Sequence, residues 1–99
     1  MTQPTTTHTA PTRPGILVGL KAEAQLIRAV FPHAAMAASG ATRAGAQREA
    51  RRLAACGADC LLSGGLAAGL DPALPPGSIV IPSEVKAWGN TWTCDPTLR

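Results

Sequence analysis

The sequence predicts an α/β fold built on a mainly parallel or mixed sheet, and two observations carry that prediction. Short, continuous apolar runs alternate with stripes at helical spacing, in the order strand, helix, strand, helix, strand. A loop dense in glycine then follows directly on the third strand, where open α/β sheets place their ligands. Alternation of this kind predicts parallel strands joined by right-handed crossovers.

The first element is Ile16-Leu17-Val18-Gly19-Leu20, which follows Pro14-Gly15. It has no polar alternation, so it suits a strand covered on both faces. Ala22, Leu26, Ile27 and Val30 come next at helical spacing, and Pro32 lies just beyond them, predicting a helix over 22–31. Residues Ala34 to Ala38 are a second strand made of weak strand formers. A second helix is predicted over 43–56, with Ala46, Ala50, Leu53 and Ala54 on its apolar face and Gly57 as its C-terminal cap. Cys60-Leu61-Leu62 then reads as a buried strand. The glycine loop runs from Ser63 to Asp71, and Pro72, Pro75, Pro76 and Gly77 prolong it as far as a further predicted strand, Ile79-Val80-Ile81. Gly89-Asn90 has the form of a two-residue hairpin turn leading into Thr91-Trp92-Thr93. Asp95-Pro96 has the form of a helix start, Asp at the N-cap and Pro at the first helical position. Three residues follow it, too few for a helical turn, and the expectation is a chain that continues into a second half.

Residues 1–14 hold six threonines and three prolines and read as a disordered leader. About 85 residues remain, a marginal size for a domain without a dense core. That remainder is rich in Ala and Gly and carries three aromatics, Phe31, Trp88 and Trp92, so the expected core is thin. The net charge is +3, and Arg43, Arg48, Arg51 and Arg52 cluster. They lack interleaved aromatics or a recognised motif, so they read as the solvated face of a helix rather than a nucleic-acid surface. No segment has the length and hydropathy to span a bilayer, and no secretory leader is visible. Cys56, Cys60 and Cys94 then read as reduced, buried structural thiols of a cytoplasmic protein, with no familiar metal spacing.

By spacing alone the glycine loop is either a tight turn or a place where a ligand meets the backbone. It matches neither the dinucleotide fingerprint nor the P-loop. A resemblance goes further. Gly15 to Ala24 resembles the opening strand and loop of the nucleoside phosphorylase and methylthioadenosine nucleosidase superfamily, and Leu62 to Gly77 resembles its central glycine loop. The loop followed by Pro-Gly-Ser-Ile-Val-Ile is the more specific signal, and the form is most similar to the hopanoid-associated phosphorylases. The similarity covers residues 15–99, the N-terminal half of such a domain. It implies an incomplete three-layer α/β sandwich. It also implies cleavage of the N-glycosidic bond of a purine nucleoside, with phosphate or water as nucleophile and no metal or organic cofactor. The implied partner is a small-molecule nucleoside, and a homo-oligomer is the expectation for a full-length protein.

Residue by residue, the resemblance implies that Gly19 sits near the nucleophile and that Glu23 is the catalytic carboxylate that activates water. The competing reading of Glu23 is a solvated first-turn glutamate favoured by the helix dipole. Gly64, Gly65, Leu66 and Ala67 would line the ribose and base pocket through their backbones. The chain departs from the family at Ser63, where phosphorylases carry a phosphate-gripping arginine, at Leu66, where a serine is usual, and at Ala68, where a glycine is usual. An apolar Leu66 suits the apolar tail of adenosylhopane, and the resemblance to the hopanoid-associated branch implies its cleavage with phosphate, a role in hopanoid biosynthesis. The family's ribose-binding glutamate and base-protonating aspartate fall beyond Arg99, so adenine release is expected only from a longer protein. The alternatives are a nucleosidase that uses water and a non-catalytic α/β fragment.

Overall fold

The computed structural model describes residues 13–96, which fall into two compact units, one ending at Ala67 and the other beginning at Ala68. The first is an α/β unit with a three-stranded parallel sheet, ordered β2-β1-β3. Its elements are β1 (Pro14–Val18), α1 (Lys21–Val30), β2 (Ala35–Ala38), α2 (Arg43–Ala55) and β3 (Cys60–Ser63). Central β1 pairs Ile16 with Met36 on one side and with Leu62 on the other. The apolar runs therefore form strands in the predicted order, and the two predicted helices stand within a residue of their expected bounds. Arg13 and Pro14, read from the sequence as the end of a leader, belong to this unit: β1 starts at Pro14, and the Arg13 N–H donates to Asp59 Oδ1 at 3.0 Å. The rest of the proposed leader lies outside the described residues.

The connection from β1 leads to β2 on one side, and the connection from β2 carries the chain across to β3 on the other. This reversal makes the C-terminal ends of β1 and β3 the topological switch point, where loops leave in opposite directions and a crevice opens. Helix α2 is anchored at both ends by backbone chemistry. Thr42 Oγ1 accepts the Gly45 N–H at 3.0 Å as an N-cap. At the other end Gly57, at φ +102°, donates to Ala54 O at 3.1 Å while Ala58 donates to Leu53 O at 3.1 Å, a Schellman pair. The cap expected at Gly57 is thus present. The buried apolar set is small: Ile16, Val18, Ala37 and Leu53 among the described residues. The arginines of α2 are exposed, as a solvated face requires.

Several expectations are corrected. The stripe of α1 does not enter the core: no residue of that helix is buried, and Leu26 and Val30 are exposed. Cys56 is exposed and Cys60 and Cys94 are half-buried, so none is a buried thiol. Ile79-Val80-Ile81, in the second unit, is not a strand. It is exposed throughout and lies between a turn at Gly77 and Pro82, which has no N–H to give a ladder. An apolar run forms a strand only where a partner completes its hydrogen bonds. The second unit does hold an antiparallel hairpin of β4 (Glu84–Ala87) and β5 (Asn90–Thr93). Its turn is Trp88-Gly89, one residue earlier than the expected Gly89-Asn90, because these two residues carry the paired positive φ values of 48° and 75° that such a turn needs. The helix expected after Asp95-Pro96 would continue beyond the described residues. Among the described residues no helix is long and apolar enough to cross a membrane.

Candidate functional site

The switch-point crevice is closed by one carboxylate. Helix α1 begins directly after the β1 loop of Gly19 and Leu20, so its third residue, Glu23, reaches back over its own N-terminus. The Leu20 N–H donates to Glu23 Oε1 at 2.8 Å, which makes the Glu half of a capping box. The other oxygen leaves the helix altogether. Oε2 accepts the Leu66 N–H, from the loop after β3, at 2.7 Å. Both oxygens therefore hold backbone donors, one from the loop before α1 and one from a loop 43 residues beyond Glu23 in sequence. Glu23 is thus a first-turn glutamate that caps its own helix and in addition holds a second loop.

Gly64 and Gly65 make the approach feasible. The Gly64 N–H donates to Leu17 O at 3.0 Å and extends the ladder one step past β3. Gly65 then turns at φ +152°, and a Cβ there would fall against Glu23 Oε2. Glycine is required twice at this position, for the positive φ and for the close approach of the carboxylate. Gly19 is the third glycine of the cluster. A Cβ on it would lie 3.3 Å from Glu23 Oε1.

Beside the carboxylate is a shallow apolar pocket of about 80 Å³, lined by Glu23, Leu26, Ile27, Gly65 and Leu66. The structure thus gathers Gly19, Glu23, Gly64, Gly65 and Leu66 at one end of the sheet. Ala67 is exposed and is not among the lining residues. Leu26 and Ile27, taken from the sequence as core, are lining residues instead. Their signal was present: they stand three and four residues after Glu23, hence on the same helix face. A larger cavity, about 260 Å³, lies at the opposite ends of the strands, among Arg13, His33, Cys56 and Gly57. Parallel α/β sheets carry their ligands at the other end, so size does not make this the better candidate.

Backbone donors set the electrostatics. The Leu66 N–H, then the Leu20 N–H and that of Gly19 hold the Glu23 carboxyl below its ordinary value of 4.5, against a smaller upward push from desolvation. A carboxyl depressed on folding stabilises the contact above its unfolded pKa, and that contribution is lost as pH falls through the lower, folded value. We therefore expect the Leu20 and Leu66 amide chemical shifts to titrate together, with one shared midpoint below 4.5. Separate midpoints for the two amides would show that one carboxylate does not hold both.

No family model, no curated protein and no solved structure matches the chain. Among the described residues no group of three His, Cys, Asp or Glu side chains could hold a metal ion.

Proposed function

We propose that the chain supplies the nucleophile side of a site that releases a purine, adenine in the first instance, from a nucleoside by cleaving its N-glycosidic bond. The observation that supports this is the Glu23 carboxylate, fixed against the glycine loop at the switch point and next to an apolar pocket. Such a reaction builds positive charge on the sugar as the base departs. A fixed anion there stabilises that charge without having to reorganise. Right-handed crossovers, the rule for parallel strands, would set α1 and α2 on opposite faces of the sheet, as the three-layer sandwich of the resemblance requires.

Between the two nucleophiles, the lining favours water over phosphate. It consists of one carboxylate, one glycine and three aliphatic side chains. A phosphate dianion entering it would meet the Glu23 charge, and the Leu20 and Leu66 amides suited to oxyanions already serve that carboxylate. A carboxylate has about four lone-pair positions, so with three backbone donors at least one remains to hold a water. Since its pKa is lowered, Glu23 is a weak base, and its role is to orient the water and stabilise charge more than to accept the proton early. Leu26 and Leu66 offer the apolar tail of adenosylhopane, or the methylthio group of a smaller nucleoside, a surface to lie on.

The test is adenine release from methylthioadenosine and adenosylhopane, with and without phosphate. It should be run on the 99-residue chain and on any extended protein that contains it. The extended protein should release adenine without phosphate, and Glu23→Gln should lower kcat about 10²–10⁴-fold with KM little changed. The 99-residue chain should stay at background. Strict dependence on phosphate would remove the hydrolytic reading, and no release of any purine by the extended protein would remove the catalytic one.

A further inference from the structure

We propose that Glu23 is a latch, whose bond to the Leu66 N–H alone sets how often the glycine loop lifts from the first turn of α1. This goes beyond the catalytic reading and does not depend on it. Leu66 is the residue before the last of its compact unit, and it is 77% exposed. Packing does not hold it down. The ladder ends at Gly64, whose N–H reaches Leu17 O, and Gly65 then turns the chain away from the sheet. The next tie is the one to Glu23 Oε2. A strong, charge-assisted bond at an otherwise solvated residue makes a closed state that opens as a single event. Glu23 also lines the apolar pocket, so a ligand hydroxyl or amine that donates to its Oε2 competes with the Leu66 N–H. Entry into the pocket and release of the loop then become one step.

Amide hydrogen exchange on the full chain, read by NMR, tests this. The Leu66 amide should exchange on the order of tenfold faster in Glu23→Gln, whose neutral amide oxygen still accepts, and faster again in Glu23→Ala. Ser39 and Gly64, bonded to the β1 carbonyls of Val18 and Leu17, should keep their wild-type rates. Gly65→Ala is the second variant. Its Cβ displaces Oε2 from Leu66 while Oε1 can still cap Leu20. It should speed exchange at Leu66 and leave Leu20 protected. Unchanged Leu66 exchange in the Glu23 variants overturns the latch. So does a uniform acceleration at Ser39, Gly64 and Leu66 in Gly65→Ala, since the contact would then be part of global stability.

Discussion

Leu53→Ala will remove a large share of this protein's stability and lower its Tm by about 8–40 °C, from a loss of about 2–5 kcal/mol at about 4–8 °C per kcal/mol. Leu53 is 3% exposed and, with its isomer Ile16, is one of the two largest side chains in the buried set, the others being Val18 and Ala37. It comes from the only face of α2 that meets the sheet, and its Cβ lies 3.1 Å from where a Cβ on Gly15 would be. Helix and strand are so close there that the cavity left by alanine has little room to collapse. A chain of this length has on the order of 0.05–0.15 kcal/mol of stability per residue, so one such loss rivals the lower end of the total. Thermal melts and urea midpoints should both show it. Leu70→Ala is the control: at 95% exposed it should change stability by no more than about 0.5 kcal/mol. Similar melts for the two variants would mean that Leu53 is not the keystone of the core.

What was legible in the sequence follows the range of the interaction. The order of strands and helices in residues 14–63 depends on local periodicity and on caps such as Gly57, and both are written in adjacent residues. The pairing of Glu23 with Leu66 was half legible. The glycine pattern marked the loop and the helix start marked the carboxylate. The bond itself joins a side chain to a backbone N–H that any residue at 66 would offer, so no residue identity announces it. Ile79-Val80-Ile81 was misread for the opposite reason. Its composition suits a strand, but a strand needs a neighbour, and composition does not say whether one is there. The stripe of α1 was misread likewise. Leu26 and Ile27 have core spacing, yet the sheet has three strands and α1 extends past what they can cover, so those side chains line an open pocket instead.

The last expected result runs against propensity. Gly45 lies in the first turn of α2, and alanine there should help an isolated helix by about 1 kcal/mol. In this protein Gly45→Ala should destabilise by about 2–4 kcal/mol, combining overpacking with damage to the N-cap. A Cβ at residue 45 would fall onto the carbonyl oxygen of Ser39, 3.0 Å from its carbon, and 2.8 Å from Thr42 Oγ1. The first two are backbone atoms, which no rotamer change moves aside. Nor is Ser39 free to yield. It is 8% exposed, its N–H is tied to Val18 O at 2.9 Å, and its Oγ accepts the Ala41 N–H at 3.1 Å. The link to the helix is already committed to left-handed conformations at Gly40 (φ 74°) and Ala41 (φ 60°), the latter unfavourable for a residue with a Cβ. The helix start must therefore move, and the bond from the Gly45 N–H to Thr42 Oγ1 goes with it. Ala44→Gly, one residue earlier and exposed, isolates the propensity term and should lose about 1 kcal/mol. Matched urea titrations of the two variants decide the matter. If Gly45→Ala unfolds at the wild-type midpoint or above it, the contact between the α2 start and the Ser39 carbonyl is not the constraint described, and helix propensity governs this turn after all.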